Sequence, residues 1–293
     1  ARRIYEEIGG RSPLLQNTAE QAAALAEDIR QRSGFEEVRC FIAMRYWHPL
    51  TEEAVELVRQ WRPDRVLLLP LYPQYSTTTT ASSIRRWLRI AKRKGLRAET
   101  RTICCYPALD GLVAATAAAV RDGLRAMGGG GIPRVLFSAH GLPAKVVARG
   151  DPYKVQVEYT AAAVVAALQG ESFDWTICYQ SRVGPLEWIR PYTEDEIRRA
   201  GADGVPVIVV PIAFVSEHSE TLVELDIEYR KLASSAGVTC YWRTPAVGTD
   251  GAFIASLGAL AAEAAAGAAS LCSGRGARLC PPDRTQCAFA AAP

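Results

Sequence analysis

The length, composition and charge of this chain exclude several classes of protein. It has 293 residues, of which 49% are hydrophobic and 22% are charged, and its formal net charge is +3. So small a charge gives no polyelectrolyte attraction for nucleic acid, and no nucleic-acid-binding motif occurs. The Ala-rich stretch 252–270 contains Glu263, as is typical of a helix packed on a domain rather than of a membrane span. The composition therefore predicts a globular, soluble protein without nucleic-acid partners, and the opening residues show no signal-peptide pattern.

Units of strand, loop and helix repeat along the first half of the chain. Apolar runs predict strands over 38–44, 65–69 and 98–105. Capping residues and helical periodicity predict helices over 12–32, 51–61 and 82–94, and a fourth that ends near Met127. Because successive βα units build parallel sheets, residues 1–127 are predicted to form one α/β half.

The same pattern restarts after a glycine linker. Four glycines at 128–131, followed by Pro133, make the clearest linker in the sequence. Strands are predicted over 134–138, 175–179 and 205–210, and helices over 155–168 and 193–200. The expected fold is α/β, with two Rossmann-like halves that each have a parallel sheet flanked by helices. The second half is predicted to span 132–270, and a Cys-containing extension to span 271–293.

An acidic helix is predicted directly after the strand 205–210. Four carboxylates fall within an arc of about 80° on an ideal α-helix. They are Glu217, Glu220, Glu224 and Glu228. Such a row is often only a solvated surface, but its position after a buried strand favours a site for a divalent cation. His218 lies about 160° from Glu220 on an ideal helix, so both side chains can face one pocket only if the helix is distorted, as we predict.

Histidines and aromatic loops follow several predicted strands. His48, His140 and His218 are the only histidines, and each lies just after a strand. A lone histidine is more often a satisfied core residue, but His140 beside the Glu220 segment becomes a candidate base or metal ligand. The aromatic loops 45–47 and 72–76 suit a large flat organic ligand, or they simply cover the ends of the sheet.

The eight cysteines divide into two groups. Five lie in apolar segments and are expected to fill the core. They are Cys40, Cys104, Cys105, Cys178 and Cys240. The other three, Cys272, Cys280 and Cys287, lie in a Gly/Pro/Arg-rich tail without an obvious core of its own. That setting favours ligation of a metal or an iron–sulfur cluster.

Five segments of the chain together resemble the signature segments of ferrochelatases, in that family's order. They are Phe41–Ala54, Leu71–Ser76, Phe137–Pro143, Tyr179–Trp188 and Pro211–Leu222, within a match from about Ile4 to Pro245. The resemblance implies a lyase-type metal chelatase that inserts Fe²⁺ into protoporphyrin IX to form protohaem, the last step of haem synthesis. It also implies a cytoplasmic location with peripheral contact at the inner membrane. It says nothing about the oligomeric state.

The resemblance also assigns roles to individual residues. It makes His140 and Glu220 catalytic. It places substrate-binding residues at Arg45, Tyr46, Tyr75, Ser76 and Trp188. It draws a metal path through His140, Glu220, Glu217, His218, Glu224 and Glu228. In the family the acidic helix carries a π-bulge, which would bring His218 and Glu220 closer together.

The chain departs from the family pattern at both ends. It lacks the amino-terminal strand and loop with which family members usually begin, so it is expected to be a fragment with one pocket wall missing. The tail resembles the extension that holds a [2Fe-2S] cluster in some ferrochelatases, through Cys272, Cys280 and Cys287. Ala115 stands where the family's internal cysteine is expected, so the fourth thiolate would be Cys105 or Cys104. Zinc or plain reduced thiols are the alternatives.

Two other functions stay open at this point. One is a related chelatase that places Co²⁺ or Ni²⁺ in another tetrapyrrole, although the segment Gln180–Trp188 favours ferrochelatase. The other is an inactive module that binds a tetrapyrrole or a metal.

Overall fold

The computed structural model describes residues 10–128 and 131–290. Its α/β architecture with parallel sheets confirms the predicted fold class. In chain order, the elements are α1 (Leu14–Arg32), α2 (Thr51–Trp61), β1 (Arg65–Leu68), α3 (Thr80–Arg93), β2 (Glu99–Ile103), α4 (Asp110–Ala126), β3 (Arg134–His140), α5 (Ala144–Ala148), α6 (Tyr153–Ala167), β4 (Asp174–Gln180), α7 (Thr193–Ala202), β5 (Val207–Pro211), a π-helix (Glu220–Glu228), α8 (Tyr229–Ser235), β6 (Tyr241–Arg243), α9 (Gly251–Ala266), β7 (Leu271–Cys272) and a 3₁₀-helix (Ala288–Ala290).

The chain divides into two compact units, each made of several segments. Unit 1 takes Leu112–Arg149, Val157–Gly248 and the described part of Ala1–Asn17. Unit 2 takes Thr18–Gly111, Gly150–Gln156 and the described part of Thr249–Pro293. The division into 1–127, 132–270 and 271–293 stays a prediction, and Gly129 and Gly130 of the proposed linker lie outside the described residues.

Unit 2 contains a three-stranded parallel sheet in the order β1-β2-β7. Val66 pairs with Thr100, and Ile103 pairs with Cys272, so the start of the cysteine-containing extension forms an edge strand. Helices α2 and α3 pack on this sheet through a buried apolar cluster. Its members include Ala54, Val58, Val66, Trp87 and Ile90.

Unit 1 contains a four-stranded parallel sheet in the order β4-β3-β5-β6. The central strands β3 and β5 are buried along nearly their whole length, as their continuous apolar sequences predict. Ser138 pairs with Cys178 on one side and with Pro211 on the other. The carboxyl ends of β3, β4 and β5 therefore meet at one edge of the sheet, where ligand sites of open α/β sheets lie.

The strand predicted over 38–44 is wrong. Its residues have no ladder partner in the described structure, and only an isolated bridge joins Met44 to Leu50. A strand needs a neighbour for its backbone N–H and C=O groups, and among the described residues β1 pairs with β2 and not with this run. Cys40 in this run is exposed, and so is Cys240 ahead of β6, so the core prediction fails for these two thiols. Cys104, Cys105 and Cys178 are buried as expected.

Helix α9 corresponds to the Ala-rich stretch 252–270. It packs through Phe253, Leu257 and Ala261, which are buried. Throughout residues 10–128 and 131–290, no helix has both the length and the apolar character that a membrane crossing needs.

Candidate active site

The acidic segment after β5 is a π-helix over Glu220–Glu228. The N–H of Tyr229 donates to the C=O of Glu224, five residues earlier, as in π-helical hydrogen bonding. His218 precedes the helix, and its C=O accepts from the N–H groups of Thr221 and Leu222 at 3.1 and 2.9 Å. The predicted distortion is therefore confirmed. The ideal helical angle between His218 and Glu220 does not apply, because His218 lies before the helix, whose N-cap is Ser219.

His140 and Glu220 come together at the carboxyl edge of the unit 1 sheet. His140 is the last residue of β3, and its Nε2 lies 3.6 Å from Oε2 of Glu220. Their side chains are 38% and 40% exposed, so a ligand can reach both. Burial raises the pKa of Glu220, against the lowering effect of a charged His140. The pair thus contains an imidazole and a carboxylate that binds protons more readily than an exposed glutamate.

Backbone hydrogen bonds give the two histidines of this site opposite tautomers. Nδ1 of His140 lies 2.7 Å from the C=O of Gly141, which only accepts, so Nδ1 holds the proton and Nε2 the lone pair of the neutral ring. Nδ1 of His218 accepts from the N–H of Glu220 at 3.1 Å, so its proton lies on Nε2. Burial lowers the pKa of His218 to about 4, which keeps this ring neutral near pH 7.

Glu217 is held by protein groups rather than facing open space. Its carboxylate accepts from the Arg243 guanidinium at 2.5 Å, the Ala246 N–H at 2.8 Å and the Thr221 hydroxyl at 2.5 Å. Arg243 also bonds to Asp226 and is only 8% exposed. One buried guanidinium therefore compensates two carboxylates of the acidic segment.

Glu224 is bound in a similar way. Ser181, directly after β4, donates its N–H to Glu224 at 2.8 Å and also donates its hydroxyl. The Gln180 amide and the Tyr229 hydroxyl donate to the same carboxylate at 3.2 and 3.0 Å. The side chain of Glu228, by contrast, is exposed and makes no hydrogen bond or ion pair within the described part of the chain.

The predicted metal ligands are therefore only partly brought together. His140 and Glu220 are neighbours, and His218 is close enough to His140 for their charges to interact. Glu217 and Glu224 are occupied by hydrogen bonds. Within the two described ranges, no group of three or more His, Cys, Asp or Glu side chains is arranged to hold a single metal ion.

Trp188 forms an apolar wall beside His140. The two ring centroids lie 6.4 Å apart, and the indole N–H donates to the C=O of Val183 at 3.2 Å. A Cβ added to Gly141 would lie 3.1 Å from the Trp188 ring. The Trp188 ring thus packs against the backbone of Gly141, and a side chain at that position would displace the ring.

The other predicted substrate-binding residues lie in unit 2. Nε of Arg45 donates to the Ser82 hydroxyl at 3.1 Å, and its guanidinium lies 4.8 Å from the centroid of Tyr46, an 81% exposed ring. A cavity of about 490 Å³ opens beside Arg45. It is lined by Arg45, Ser82, Arg85, Arg86 and Arg89. Tyr75 and Ser76 are buried, so their contact with substrate stays a prediction.

Four thiols converge in unit 2, in what we call the thiol cluster: Cys104, Cys105, Cys280 and Cys287. The sulfurs of Cys104 and Cys105 lie 3.3 Å apart, and Cys280 is hydrogen-bonded to Cys287. That hydrogen bond lowers the pKa of Cys287 below its usual range and favours a thiolate. Cys272 lies instead near Glu263 and Arg101. The thiol cluster thus contains Cys280 and Cys287 with both internal alternatives, Cys105 and Cys104, whereas Cys272, the third predicted tail ligand, lies outside it.

Comparison with known proteins decides the family. The model of the ferrochelatase family matches residues 1–265. The chain belongs to the ferrochelatase family. It is 52% identical over 286 residues to the ferrochelatase of Phenylobacterium zucineum, covering 97% of this chain and 81% of the relative. It is 49% identical over 257 residues to that of Wolbachia pipientis wMel, covering 88% of this chain and 80% of the relative.

Solved structures share the fold of this chain at low sequence identity. SirB from Bacillus subtilis with Fe³⁺ superposes with a TM-score of 0.56 at 17% identity, covering 85% of this chain and 90% of SirB. CbiX, described as the terminal enzyme for biosynthesis of siroheme in denitrifying bacteria, gives 0.53 at 20% identity, covering 85% and 92%. The predicted function, protohaem formation by a metal chelatase, is confirmed by the family and the named relatives.

Three residues of the site and of the thiol cluster were not predicted from the sequence. Ser181 and Arg243 hold the carboxylates of the π-helix, and Gln156 contacts the thiol cluster. Ser181 follows β4 directly, so its position at a strand end was the available signal. Arg243 and Gln156 are distant in sequence from the groups they bind, and no local pattern marks them.

Proposed function

We propose that His140 and Glu220 accept the pyrrole protons when Fe²⁺ enters protoporphyrin IX. The observation that carries the proposal is the 3.6 Å approach of their side chains at an accessible strand end. Metallation replaces two N–H protons of the macrocycle by one Fe²⁺ ion, so two protons must leave. A neutral imidazole and a carboxylate provide two acceptors within one site.

The tautomers define the first step of this mechanism. Because Nδ1 of His140 donates to Gly141, the lone pair on Nε2 is the group that takes a pyrrole proton. The imidazolium that forms is stabilised by the adjacent Glu220 carboxylate. Glu220 takes the second proton, which its raised pKa favours, and both protons then pass to solvent.

His218 has a different role in this proposal. Its Nε2 carries the proton, so it donates a hydrogen bond and orients a polar group near His140. Binding iron through Nε2 would require the other tautomer and the loss of its bond to the Glu220 N–H. Because the one lone pair of His140 takes a proton, we place the accessible Glu220 carboxylate first among the predicted metal contacts, while Glu217 and Glu224 fix the π-helix through Arg243 and Ser181.

Kinetics of iron insertion test this assignment. His140→Ala should lower kcat for Fe²⁺ by at least about 100-fold, the usual contribution of a positioned general base. His48→Ala is the matched control, because His48 is exposed and its ion pair among the described residues is with Glu53, at 2.9 Å. Its rate should equal that of wild type. A His140→Ala enzyme within a few-fold of wild type would refute the proposal.

The arginine-lined cavity supports a substrate role for Arg45. Guanidinium groups suit carboxylates, and protoporphyrin IX carries two propionates. Arg86 already pairs with Glu52, whereas Arg89 has no carboxylate within 4 Å in the described residues. Protoporphyrin dimethyl ester should therefore bind Arg45→Ala and wild type equally, while the free acid should bind Arg45→Ala more weakly. Equal affinity of both proteins for the free acid would contradict this role.

Metal choice separates the proposed function from the alternatives left open by the sequence. Rates with Fe²⁺, Co²⁺ and Zn²⁺ against protoporphyrin and coproporphyrin are expected to be highest for Fe²⁺ with protoporphyrin. A preference for Co²⁺ with another tetrapyrrole would indicate a related chelatase, and binding without turnover an inactive module. The lyase classification follows from the same assay.

We also propose that the thiol cluster holds a [2Fe-2S] cluster. The four sulfurs form two adjacent pairs, as two irons with two thiolates each require, and Cys287 favours the thiolate form. The residues thus fit the group through Cys104, Cys105, Cys280 and Cys287. Such a cluster would crosslink the tail (residues 273–290) to the end of β2.

Single substitutions distinguish this ligand set from the one that includes Cys272. Iron, acid-labile sulfide and visible absorption are measured on protein purified without oxygen. Cys104→Ser should remove the absorption, and Cys272→Ser should keep it. The reverse result would restore Cys272 as a ligand. Zinc without sulfide, or thiols without metal, would support the alternatives instead.

Peripheral membrane contact is proposed for the exposed face of unit 2 near α3. Tyr46 and Trp47 are 81% and 71% exposed, and the arginines of the cavity lie on the same unit. Interfacial aromatics and basic side chains favour an anionic bilayer surface. Cosedimentation with vesicles containing anionic lipid should weaken for Arg85→Ala/Arg89→Ala. Unchanged cosedimentation would refute the contact, and the cytoplasmic location stays a prediction.

A further inference from the structure

One buried glutamine contacts both the thiol cluster and the loop that carries Tyr75 and Ser76. Nε2 of Gln156 lies 3.1 Å from the sulfur of Cys280, and the same carboxamide is hydrogen-bonded to Cys105. Its Oε1 accepts from the N–H of Tyr75 at 2.8 Å. The side chain is fully buried. The two ends of one planar amide group are thus fixed by two different parts of unit 2.

A second buried residue of the same segment holds the Tyr75 loop, residues 72–78. The carboxylate of Asp151 accepts from the Ser76 hydroxyl at 3.0 Å, the Thr77 N–H at 2.8 Å and the Thr77 hydroxyl at 2.6 Å. It also accepts from the N–H of Tyr153 at 2.9 Å. The conformation of the Tyr75 loop therefore depends on where the segment Gly150–Gln156 lies.

The tail contacts the opposite end of that segment. The N–H of Gln286 donates to the C=O of Gly150 at 3.1 Å. Gly150 has a φ of +95°, and a Cβ there would lie 2.4 Å from the Thr285 hydroxyl oxygen. Tail, segment and loop thus form one continuous chain of contacts within unit 2.

We propose that Gln156 is a positioning residue that couples the thiol cluster to the Tyr75 loop. Because its amide is planar and bonded at both ends, a shift of the Cys280 sulfur turns the group and weakens the bond to the Tyr75 N–H. Binding at the thiol cluster is thereby transmitted to a loop with two predicted substrate-binding residues. An effect of this coupling on porphyrin affinity rests on the proposed function. The coupling between the thiol cluster and the Tyr75 loop requires only the hydrogen bonds described.

Hydrogen exchange of the full chain tests the coupling without porphyrin. Exchange is followed by mass spectrometry in peptides covering 72–78. Gln156→Leu should speed exchange there about fivefold, the effect of losing one hydrogen bond of ordinary net strength. Cys280→Ser should also speed exchange there, because it changes the sulfur-side contact of the Gln156 amide. The Gln156→Leu/Cys280→Ser double variant should exchange no faster than the faster single variant. Cys40→Ser, a change at an exposed thiol, is the matched control and should match wild type.

Gln156→Glu separates coupling from simple packing. It keeps the oxygen that accepts from Tyr75 and removes the amide donor to sulfur. If the two ends are coupled, its loop should exchange about as fast as that of Cys280→Ser although the oxygen that accepts from Tyr75 is kept, and adding Cys280→Ser should change exchange no further. Multiplicative effects of Gln156→Leu and Cys280→Ser, or a Cys280→Ser loop that exchanges like wild type, would overturn the inference. Iron, sulfide and porphyrin titrations on wild type test the proposed function separately, since a protein without cluster or porphyrin affinity still gives the exchange result.

Discussion

Nε2 of His140 lies 3.6 Å from Oε2 of Glu220, although 79 positions separate the two residues in the chain. One stands at the end of β3, and the other begins the π-helix after β5. Adjacent parallel strands bring both ends to one edge of the sheet. The backbone then sets which nitrogen of His140 carries the lone pair, and burial sets the proton affinity of Glu220.

Removing the charge of Glu220 should stabilise the protein at neutral pH. Burial raises the pKa of Glu220 in the folded protein above its pKa in the unfolded chain. The free energy that the protonated carboxyl group contributes to folding is therefore fully present below the unfolded pKa, and it is lost as pH rises through the folded pKa. Glu220→Gln should therefore unfold at higher temperature than wild type near pH 8, and the difference should vanish at acid pH. Thermal unfolding from pH 4 to pH 8 measures it. A Tm difference that does not change with pH would contradict the raised pKa.

The Arg243 guanidinium should be essential to the stability of the acidic segment. It is 8% exposed and bonds to both Glu217 and Asp226, so its loss leaves Glu217 without a counter-charge and Asp226 with the exposed Arg230, 3.7 Å away. Arg243→Met should cost about 3–5 kcal/mol in the free energy of unfolding, as for other broken buried pairs. Arg198→Met, which removes a 54% exposed partner of Asp195, should cost less than about 0.5 kcal/mol. Urea unfolding of both variants compares them, and equal losses would show that Arg243 is only a surface charge.

A methyl group at Gly150 should displace the tail. Gly150 and Gly170 both have φ near +90°, but only at Gly150 would a Cβ meet the tail, 2.4 Å from Thr285. Gly170→Ala should cost about 1 kcal/mol from backbone strain alone. Gly150→Ala should cost more and should also expose residues 273–290 to limited proteolysis. Equal proteolysis of the two variants would show that the tail does not depend on this contact.

The sequence predicted the elements whose signals are local. Helix α2 has the predicted bounds, and β3 and β5 follow from their continuous apolar runs. The run 38–44 has the same composition, but a strand also needs a neighbouring strand, and local sequence does not supply that information. Ser12, predicted to begin α1, does accept from the N–H of Leu14 at 3.3 Å.

The candidate site was predicted as a list of residues, and the structure gives those residues different surroundings. His140 and Glu220 were identified by their residue types and by their positions after strands, because side chains there share one edge of the sheet. The acidic row suggested four equivalent ligands. Glu217 is instead paired with the Arg243 guanidinium, and Glu224 accepts hydrogen bonds from Ser181; the approach of both partners depends on tertiary packing. Tautomers depend on backbone contacts in the same way and cannot be read from residue types.

A double-mutant cycle on His140 and Glu220 tests the proton-acceptor pair most directly. Initial rates of Fe²⁺ insertion into protoporphyrin IX are measured for wild type, His140→Ala, Glu220→Gln and the double variant, with His48→Ala as the matched control. If the two groups act as a unit, each single change should lower kcat by about 100-fold or more, and the double variant should be little slower than the slower single variant. Independent, multiplicative losses, or single variants within a few-fold of wild type, would contradict the account.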